Sequence, residues 1–372
     1  MVDSRAAAKQ HYIFLDGLRG VAAIMVLLLH WFEGHGKELF GSGLLAVDFF
    51  FILSGFVVAL AYEQRLLAEG KSAQFIRQRF IRLYPMIAAG VLLGFLRFAM
   101  LSFQENGSPV DATLAAQLVG GLTMIPADPL GGVAGFFPLN NALWSLHFEF
   151  IAYLAFWLIL YRVRTAGLAA ITIVAALGCY AWATMTFGPA DLRPAAGESA
   201  TGYIHALSRV AFSFTLGMII FRLRDRIVGA ALPGGRWLSL LLVATLVLSR
   251  EMLPPLAVMA LLALVFPYII AAGTKVPHSA PLTATEKILG NLSYPLYALH
   301  VPLIWTMNGA CKTLGIGFTD NPLLNGIFIL PATLAISYAA FILYDRPLRR
   351  WLTARFANRR NAVSATVGEP VF

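Results

Sequence analysis

The chain contains a series of apolar runs about as long as a membrane is thick, and this feature constrains its fold more than any other. About ten runs of roughly 20 residues are separated by polar loops. They lie at about 14–32, 43–62, 84–103, 141–161, 166–187, 201–221, 237–250, 254–272, 287–308 and 322–344. The sequence therefore predicts an all-α polytopic membrane helix bundle of about ten transmembrane helices. A further apolar stretch at 113–125 is too short to span, so we expect it at the surface or re-entering.

Composition supports a membrane protein over a soluble one. Hydrophobic residues make up 59% of the chain and charged residues only 13%, whereas soluble domains average about 25% charged residues. The net charge of +9 would suggest nucleic-acid binding in a soluble protein. Here the positions of the basic residues explain it better, and we predict no nucleic-acid partner. The two cysteines form neither a disulfide framework nor a metal-binding pattern.

Lysine and arginine positions predict how the chain is oriented. With the N-terminus inside, the inner segments hold 21 of the 28 Lys and Arg residues and the outer segments hold 4. Positive residues accumulate on the cytoplasmic side, so both termini are expected on that side. The membrane is expected to be the bacterial inner membrane. The same bias supports the short run at 237–250, because omitting it would invert all later loops. We expect a membrane domain at 12–350 and a basic cytoplasmic tail at 351–372.

Four ionisable residues on four separate runs are predicted at similar depth. Ionisable groups inside membranes are costly and indicate function by default. The rise of a helix puts all four roughly 4–12 Å below the outer face. They are His30, Asp48, Glu149 and His300.

An alternative interpretation is structural. Arg97 and Arg209 also fall in the outer half, where they could pair with the two carboxylates and only fix helix packing. For His30 the alternative is an interfacial histidine next to Trp31. His35 and His147 are expected to have no special role.

Basic residues are predicted at the opposite depth. Arg19 precedes His30 by eleven residues, about 16 Å and three helical turns, so the two share one helix face. In "KSAQFIRQRFIRLYP" (71–85), Arg79 and Arg82 are i,i+3 neighbours beside apolar residues. This segment is either an amphipathic connector holding anionic lipid headgroups or a cytoplasmic phosphate site, since Arg suits bidentate phosphate contacts.

Several catalytic motifs are absent from the sequence. "HFE" at 147–149 lacks the paired cysteines of zinc deaminases, and HExxH, GxSxG and GxxxxGK[ST] do not occur. Ser54 in "FFFILSGF" has no acid–base partner nearby in sequence, so we expect it to serve helix packing or a backbone adjustment in the second run. We predict no metal site and no bound cofactor.

Five short motifs occur in order between about 12 and 350. They hold Arg19 and His30 in "LDGLRGVAAIMVLLLH", Asp48, Ser54, Gly55 and Phe56 in "AVDFFFILSGFV", Arg79, Arg82 and Pro85 in "RQRFIRLYP", Trp144, Ser145 and Glu149 in "LWSLHFEF", and Ser293, Tyr294, Tyr297 and His300 in "LGNLSYPLYALHVPL". Together these motifs resemble acyltransferase family 3, a family of polytopic membrane acyltransferases. Ala298 departs from the resemblance, because leucine is expected at that position.

The resemblance implies transfer of an acetyl or other short acyl group from cytoplasmic acyl-CoA, most simply acetyl-CoA. The acceptor would be a hydroxyl of a cell-surface polysaccharide, a lipopolysaccharide or a lipid-linked sugar. Arg79 and Arg82, with Arg19, would bind the donor. Near the outer face His30 would act as general base or as nucleophile, and the sequence leaves both roles open.

The remaining candidate residues are expected to support this chemistry. Asp48 or Glu149 would orient the His30 imidazole, and Arg97, Arg209 or Tyr294 would stabilise an oxyanion. The other predicted pocket residues are Ser54, Trp144, Ser145 and His300.

Two alternatives from other functional classes remain at this point. One is a glycolipid or polysaccharide transporter or flippase, although no internal repeat supports it. The other is a sensor or scaffold with structural ion pairs.

Overall fold

The regular structure of the described residues is entirely helical, which confirms the predicted all-α class. The structure is a computed structural model. It describes residues 12–36, 41–70, 72–108, 110–126, 135–187, 200–229, 235–247, 255–277, 280–316 and 321–366. Residues 248–250 of the seventh predicted run and 367–372 of the predicted tail lie outside these ranges.

Thirteen α-helices follow one another in the described residues. They are α1 (Ile13–Glu33), α2 (Leu45–Glu69), α3 (Ala73–Asn106), α4 (Ala112–Thr123), α5 (Leu143–Leu158), α6 (Thr165–Phe187), α7 (Ala200–Gly229), α8 (Trp237–Val247), α9 (Pro255–Ala260), α10 (Phe266–Gly273), α11 (Ala280–Thr313), α12 (Pro322–Ala340) and α13 (Arg346–Thr366). π-Helical turns at Leu261–Val265 and Phe341–Asp345 join α9 to α10 and α12 to α13 into continuous rods. Short 3₁₀ turns occur at Gly41–Leu44 and Leu160–Arg162.

Seven helical segments of the described chain are long and apolar enough to cross a membrane. They are Ile13–Glu33, Leu45–Glu69, Ala73–Gln104, Thr165–Met185, Gly202–Arg224, Leu256–Gly273 and Leu323–Phe356. Each overlaps one predicted run. The predicted runs at 141–161 and 237–250 correspond to the shorter apolar helices α5 and α8, and the stretch at 113–125 forms α4. The chain is therefore a multi-pass helical membrane protein.

Helix α11 contains the predicted run at 287–308 and lies at the centre of the bundle. From Leu292 to Ile304 its residues are buried except for Tyr294, which is partly buried. Protein rather than lipid surrounds this segment, so it tolerates polar side chains such as Ser293 and His300. This environment explains why α11 is less apolar than the outer helices.

Helices α1 and α11 pack closely and run parallel. A Cβ atom added to Gly20 would collide with the main chain of Leu289. Four residues earlier on α1, the Cβ of Asp16 would lie 2.7 Å from a Cβ added to Gly290. Small residues at such crossings let helix backbones approach in membranes. The contact fixes the register that brings the polar residues of the two helices together.

A second close parallel pair is formed by α2 and α7. Cβ atoms added to Gly55 or Gly217 would collide with main-chain carbonyls of the opposite helix, at Phe214 and Ile52 respectively. Towards the C-terminal ends of both helices, Arg222 Nε bonds Glu63 Oε1 at 3.0 Å. These contacts fix the rotation of α2 about its axis, and so determine which of its faces lies towards the interior.

Helix α3 continues beyond the thickness of a bilayer. Its 34 residues span about 50 Å, against roughly 30 Å of hydrocarbon. The side chain of Ser72 caps its first turn by accepting from Gln74 N. The basic segment predicted as a connector is thus the first three turns of the third span itself, which makes its arginines rigidly placed.

Candidate active site

A pocket lies among helices α1, α2, α3, α5 and α11. It encloses about 710 Å³ of empty space including its mouth. Most of its wall is apolar, and its polar residues come from all five helices. These polar lining residues are Arg19, Ser54, Arg79, Arg82, Ser145, Glu149, Tyr153, Ser293, Tyr294 and Tyr297.

Arg19 is held in this pocket by α11. Its Nε donates to Ser293 Oγ at 2.9 Å and its Nη2 to the carbonyl of Gly290 at 3.3 Å. On its own helix, Nη1 lies 3.5 Å from Asp16 Oδ1. These bonds fix the guanidinium plane, so Arg19 presents a positioned charge to the pocket rather than a mobile one.

Arg79 lies in a cage of aromatic rings. Its Cζ is 4.8 Å from the centroid of Tyr62, 5.4 Å from Tyr153 and 5.7 Å from Phe75. Such cation–π contacts hold a cation without neutralising it. The side chain is buried, and its Nε has no hydrogen-bond partner among the described residues. With Arg82 one helical turn further along α3, this end of the pocket suits an anion with several oxygens.

Glu149 meets Ser54 and Tyr153 in the middle of the pocket. Ser54 Oγ donates to Glu149 Oε1 at 2.8 Å, and Tyr153 OH donates to the same oxygen at 2.5 Å. The two hydroxyls are 2.9 Å apart. Ser54 lies in the pocket wall, as its expected role in the pocket predicts, and it has an acid partner 95 residues away in the sequence. The close contact with α7 is made by its neighbour Gly55.

The end of the pocket away from the arginines is formed by Ser145 and Tyr297. Their hydroxyl oxygens are 2.5 Å apart, and Phe50 packs edge-on against the Tyr297 ring at 5.5 Å. Tyr294, one turn earlier on α11, donates its hydroxyl to the carbonyl of Leu83. Tyr294 is thus committed to a main-chain bond that joins α11 to α3.

Two predicted residues, His30 and His300, form a stacked pair beyond Tyr297. Their ring centroids are 5.2 Å apart with an interplanar angle of 25°, and the His300 ring lies 5.8 Å from that of Tyr297. His30 Nδ1 is 3.0 Å from Glu33 Oε2. The histidines do not line the pocket but adjoin its Ser145–Tyr297 end.

Asp48 pairs with Arg209, one of the two arginines that the structural interpretation offered as its partner, and not with His30. Arg209 Nη2 bonds Asp48 Oδ2 at 2.5 Å, and Ser213 Oγ donates to Oδ1 at 3.2 Å. All of these side chains are buried. The structure therefore gives Asp48 the contacts of the packing alternative, an ion pair between α2 and α7, and no contact with His30 appears among the described residues.

Arg97 and Trp144 also lie outside the pocket wall. The Arg97 guanidinium is over the rings of Phe98 at 5.0 Å and Trp305 at 5.6 Å. The Trp144 ring lies 5.7 Å from the Cζ of Arg209. Among the described residues, neither Arg97 nor Arg209 forms an ion pair with Glu149, so the proposed packing partner for that carboxylate is not observed.

Two residues of the site were missed in the sequence, Glu33 and Tyr153. Both follow a predicted residue at helical spacing, three after His30 and four after Glu149. Residues at i,i+3 and i,i+4 are neighbours on a helix surface. A search for polar residues at this spacing would have found them.

Comparison with known proteins identifies the family. A family model described as an acyltransferase domain matches residues 12–342. Protein 2 in picA locus of Rhizobium radiobacter is 36% identical over 156 residues, covering 38% of this chain and 78% of the relative. Acyltransferase MdmB of Streptomyces mycarofaciens is 31% identical over 204 residues, about half of each chain.

A third relative matches over almost its full length. The exopolysaccharide production protein ExoZ of Rhizobium meliloti is 26% identical over 345 residues, covering 88% of this chain and 96% of the relative. No solved structure matches the chain significantly. The family match covers most of the chain and includes all five helices of the pocket. The chain belongs to acyltransferase family 3 and is a multi-pass membrane acyltransferase.

Proposed function

We propose that the protein transfers an acetyl or other short acyl group from cytoplasmic acyl-CoA to a hydroxyl of a cell-surface or lipid-linked carbohydrate. The observation that carries this proposal is the pocket that leads from the arginines of α1 and α3 to Tyr297, next to the His30–His300 pair. A single cavity with a cationic end and a histidine pair beside its other end suits a phosphate-bearing thioester.

The donor headgroup binds at the arginine end. Arg79, Arg82 and Arg19 supply positive charge there, and the phosphates of coenzyme A supply the complementary charge. The pantetheine arm extends through the apolar part of the pocket towards His30. Arg19 and His30 are about 16 Å apart along α1, half the thickness of the hydrocarbon layer.

The chemical step joins the acceptor oxygen to the acyl carbon. His30 removes the proton of the acceptor hydroxyl, the oxygen attacks the thioester carbonyl, and the carbon–sulfur bond breaks. The proton then passes from the imidazolium to the departing sulfur, so the products are an ester and free coenzyme A. In the alternative step, His30 accepts the acyl group before the hydroxyl does. Glu149, held by Ser54 and Tyr153, lies where the arm passes.

The acceptor is proposed from one relative. ExoZ is named for exopolysaccharide production, and this supports a carbohydrate hydroxyl as the acyl acceptor. We further propose ten spans with both termini in the cytoplasm of a bacterial inner membrane, because the lysine and arginine distribution favours that arrangement. The histidine end of the pocket then faces the outside, where surface carbohydrate is found.

The proposal is tested with purified protein in lipid nanodiscs and radiolabelled acetyl-CoA. We expect label to leave the thioester and appear as an alkali-labile ester in a polysaccharide fraction from the source cells. His30→Ala should abolish transfer while leaving expression and thermal unfolding unchanged. Consumption of acetyl-CoA by His30→Ala at the rate of the unmodified protein would overturn the role of His30. Failure of the unmodified protein to consume any acyl-CoA would overturn the donor.

A further inference from the structure

His30 is in contact with a carboxylate other than the two that its depth suggested. Glu33 lies one turn further along α1, and its Oε2 is 3.0 Å from His30 Nδ1. Asp48 forms an ion pair with Arg209, and Glu149 accepts hydrogen bonds from Ser54 and Tyr153. Within the described residues, Glu33 is thus the one acidic side chain bonded to His30.

The bond to Glu33 determines which ring nitrogen of His30 can react. An ionised carboxylate only accepts hydrogen bonds, so His30 Nδ1 carries the hydrogen and donates it to Glu33. In the neutral ring Nε2 is then unprotonated, and its lone pair is available to take a proton or an acyl group. The second nitrogen of a histidine is commonly fixed in this way by a neighbouring hydrogen bond.

His300 fixes the plane of the same ring from one side. It is buried, and its Nδ1 contacts only the carbonyls of Leu296 and Tyr297, at 3.1 and 2.8 Å. A carbonyl only accepts, so Nδ1 of His300 also carries its hydrogen. Its buried Nε2 has no partner among the described residues. A buried imidazole in this state stays neutral, and it stacks on His30 without opposing a positive charge there.

The position of His30 on α1 also favours a positive charge on its ring. His30 lies in the last turn of the helix, which ends at Glu33. The carbonyl end of a helix carries partial negative charge and favours a nearby cation. The imidazolium that forms during transfer therefore meets the helix end and the Glu33 carboxylate, with a neutral ring on its face.

We propose that Glu33 is a positioning residue for His30, holding it as the Nδ1–H tautomer with Nε2 free, and that His300 supports the ring by stacking. This inference rests on the proposed function, in which His30 carries the chemistry. Glu33 is 45% exposed, so its replacement leaves no cavity in the core.

Kinetics in inverted inner-membrane vesicles, which carry the natural acceptor, test the inference. Release of coenzyme A thiol from added acetyl-CoA is measured for Glu33→Ala and Glu33→Gln. For Glu33→Ala we expect kcat to fall about 10- to 100-fold, a part of the roughly 10²–10⁴-fold that general-base catalysis contributes, with KM for acetyl-CoA unchanged. Glu33→Gln keeps a carbonyl acceptor and should lose less. Glu69→Gln, an exposed carboxylate paired with Arg65 on α2, is the matched control and should behave as the unmodified protein.

A spectroscopic measurement separates positioning from a general structural effect. The ¹⁵N shifts of histidine-labelled protein in bilayers distinguish the two tautomers, and the His30 signal is assigned by its loss in His30→Ala. We expect the Nδ1–H form in the unmodified protein and its loss in Glu33→Ala. An unchanged tautomer, or a kcat within twofold of normal, would contradict the role of Glu33 while leaving the proposed function intact. Full activity of His30→Ala would instead remove the proposed function itself.

Discussion

Gly20 of α1 lies directly against the main chain of Leu289 in α11, and no side chain separates the two helices at that point. The contact keeps Arg19 beside Ser293 and His30 beside His300. Both ends of the proposed reaction path depend on this one helix pair. The spacing of α1 from α11 is therefore as important to the site as any polar residue.

Gly20→Ala should disrupt the site without touching its chemistry. The added methyl group must push the helices apart, at a cost of about 1–3 kcal/mol, and a displacement of about 1 Å can reduce a rate about 100-fold. We expect a lower temperature of unfolding and at least a tenfold loss of transfer. Gly309→Ala is the matched control, because a Cβ there meets no atom within 4 Å. Equal behaviour of the two variants would show that the contact is not needed.

Arg79→Gln and Arg82→Gln should weaken donor binding. Each removes a charged donor to phosphate oxygens, a hydrogen bond of about 1.5–3 kcal/mol, which corresponds to roughly a 10- to 100-fold rise in KM for acetyl-CoA. The change is measured by initial rates at varied acetyl-CoA. Arg65→Gln serves as control, since Arg65 is exposed and pairs with Glu69. If KM for acetyl-CoA stayed the same in both pocket variants, the phosphates would have to bind elsewhere.

Replacing both members of the Asp48–Arg209 pair should destabilise the protein less than replacing Asp48 alone. A single Asp48→Leu leaves Arg209 as a buried unpaired charge, at a cost of about 3–5 kcal/mol. Asp48→Leu combined with Arg209→Leu removes both charges, so thermal unfolding in detergent should return towards that of the unmodified protein. Transfer by the double variant should remain within about tenfold of normal. A folded but inactive double variant would instead assign Asp48 or Arg209 to the chemistry.

Glu149→Gln should distinguish a role of Glu149 in the chemical step from a role in offsetting the charge of the pocket arginines. The carboxylate lies among three arginines and accepts two hydroxyl hydrogen bonds. If Glu149 acts in the chemical step, kcat falls while KM for acetyl-CoA does not rise; we expect this result, with a kcat loss of about tenfold or more. Charge balance alone would predict tighter acetyl-CoA binding and an unchanged kcat. Glu63→Gln is the control, because Glu63 pairs with Arg222 outside the pocket; it should affect stability rather than kcat.

Much of the helical framework follows from the sequence because it depends on local properties. Apolar length predicts the helices at 14–32 and 43–62, and helical rise predicts that Arg19 and His30 share a face, about 16 Å apart. The resemblance to acyltransferase family 3, which rests on short motifs within single helices, is confirmed by the family model that matches residues 12–342. The shorter helices α5 and α8 lie where apolar runs were predicted, although neither meets the length of a full span.

Partner choice does not follow from the sequence. Depth alone allowed Asp48 or Glu149 to orient His30, and Arg97 or Arg209 to pair with either carboxylate. Of these possibilities the structure shows the pair of Asp48 with Arg209, which are 161 residues apart in the sequence. Such pairs depend on the rotation of each helix about its axis, which is set by contacts between helices far apart in the chain.

The sequence alone is enough to predict a membrane helix bundle in which Arg19 and His30 lie on one face of a helix, about 16 Å apart. Both properties follow from hydrophobicity and a fixed rise per residue. The meeting of Ser54 with Glu149 and the stacking of His30 on His300 depend instead on contacts between helices far apart in the chain. Close contacts at glycines such as Gly20 and Gly55 fix helix rotation and register, and these determine which polar groups meet in the interior.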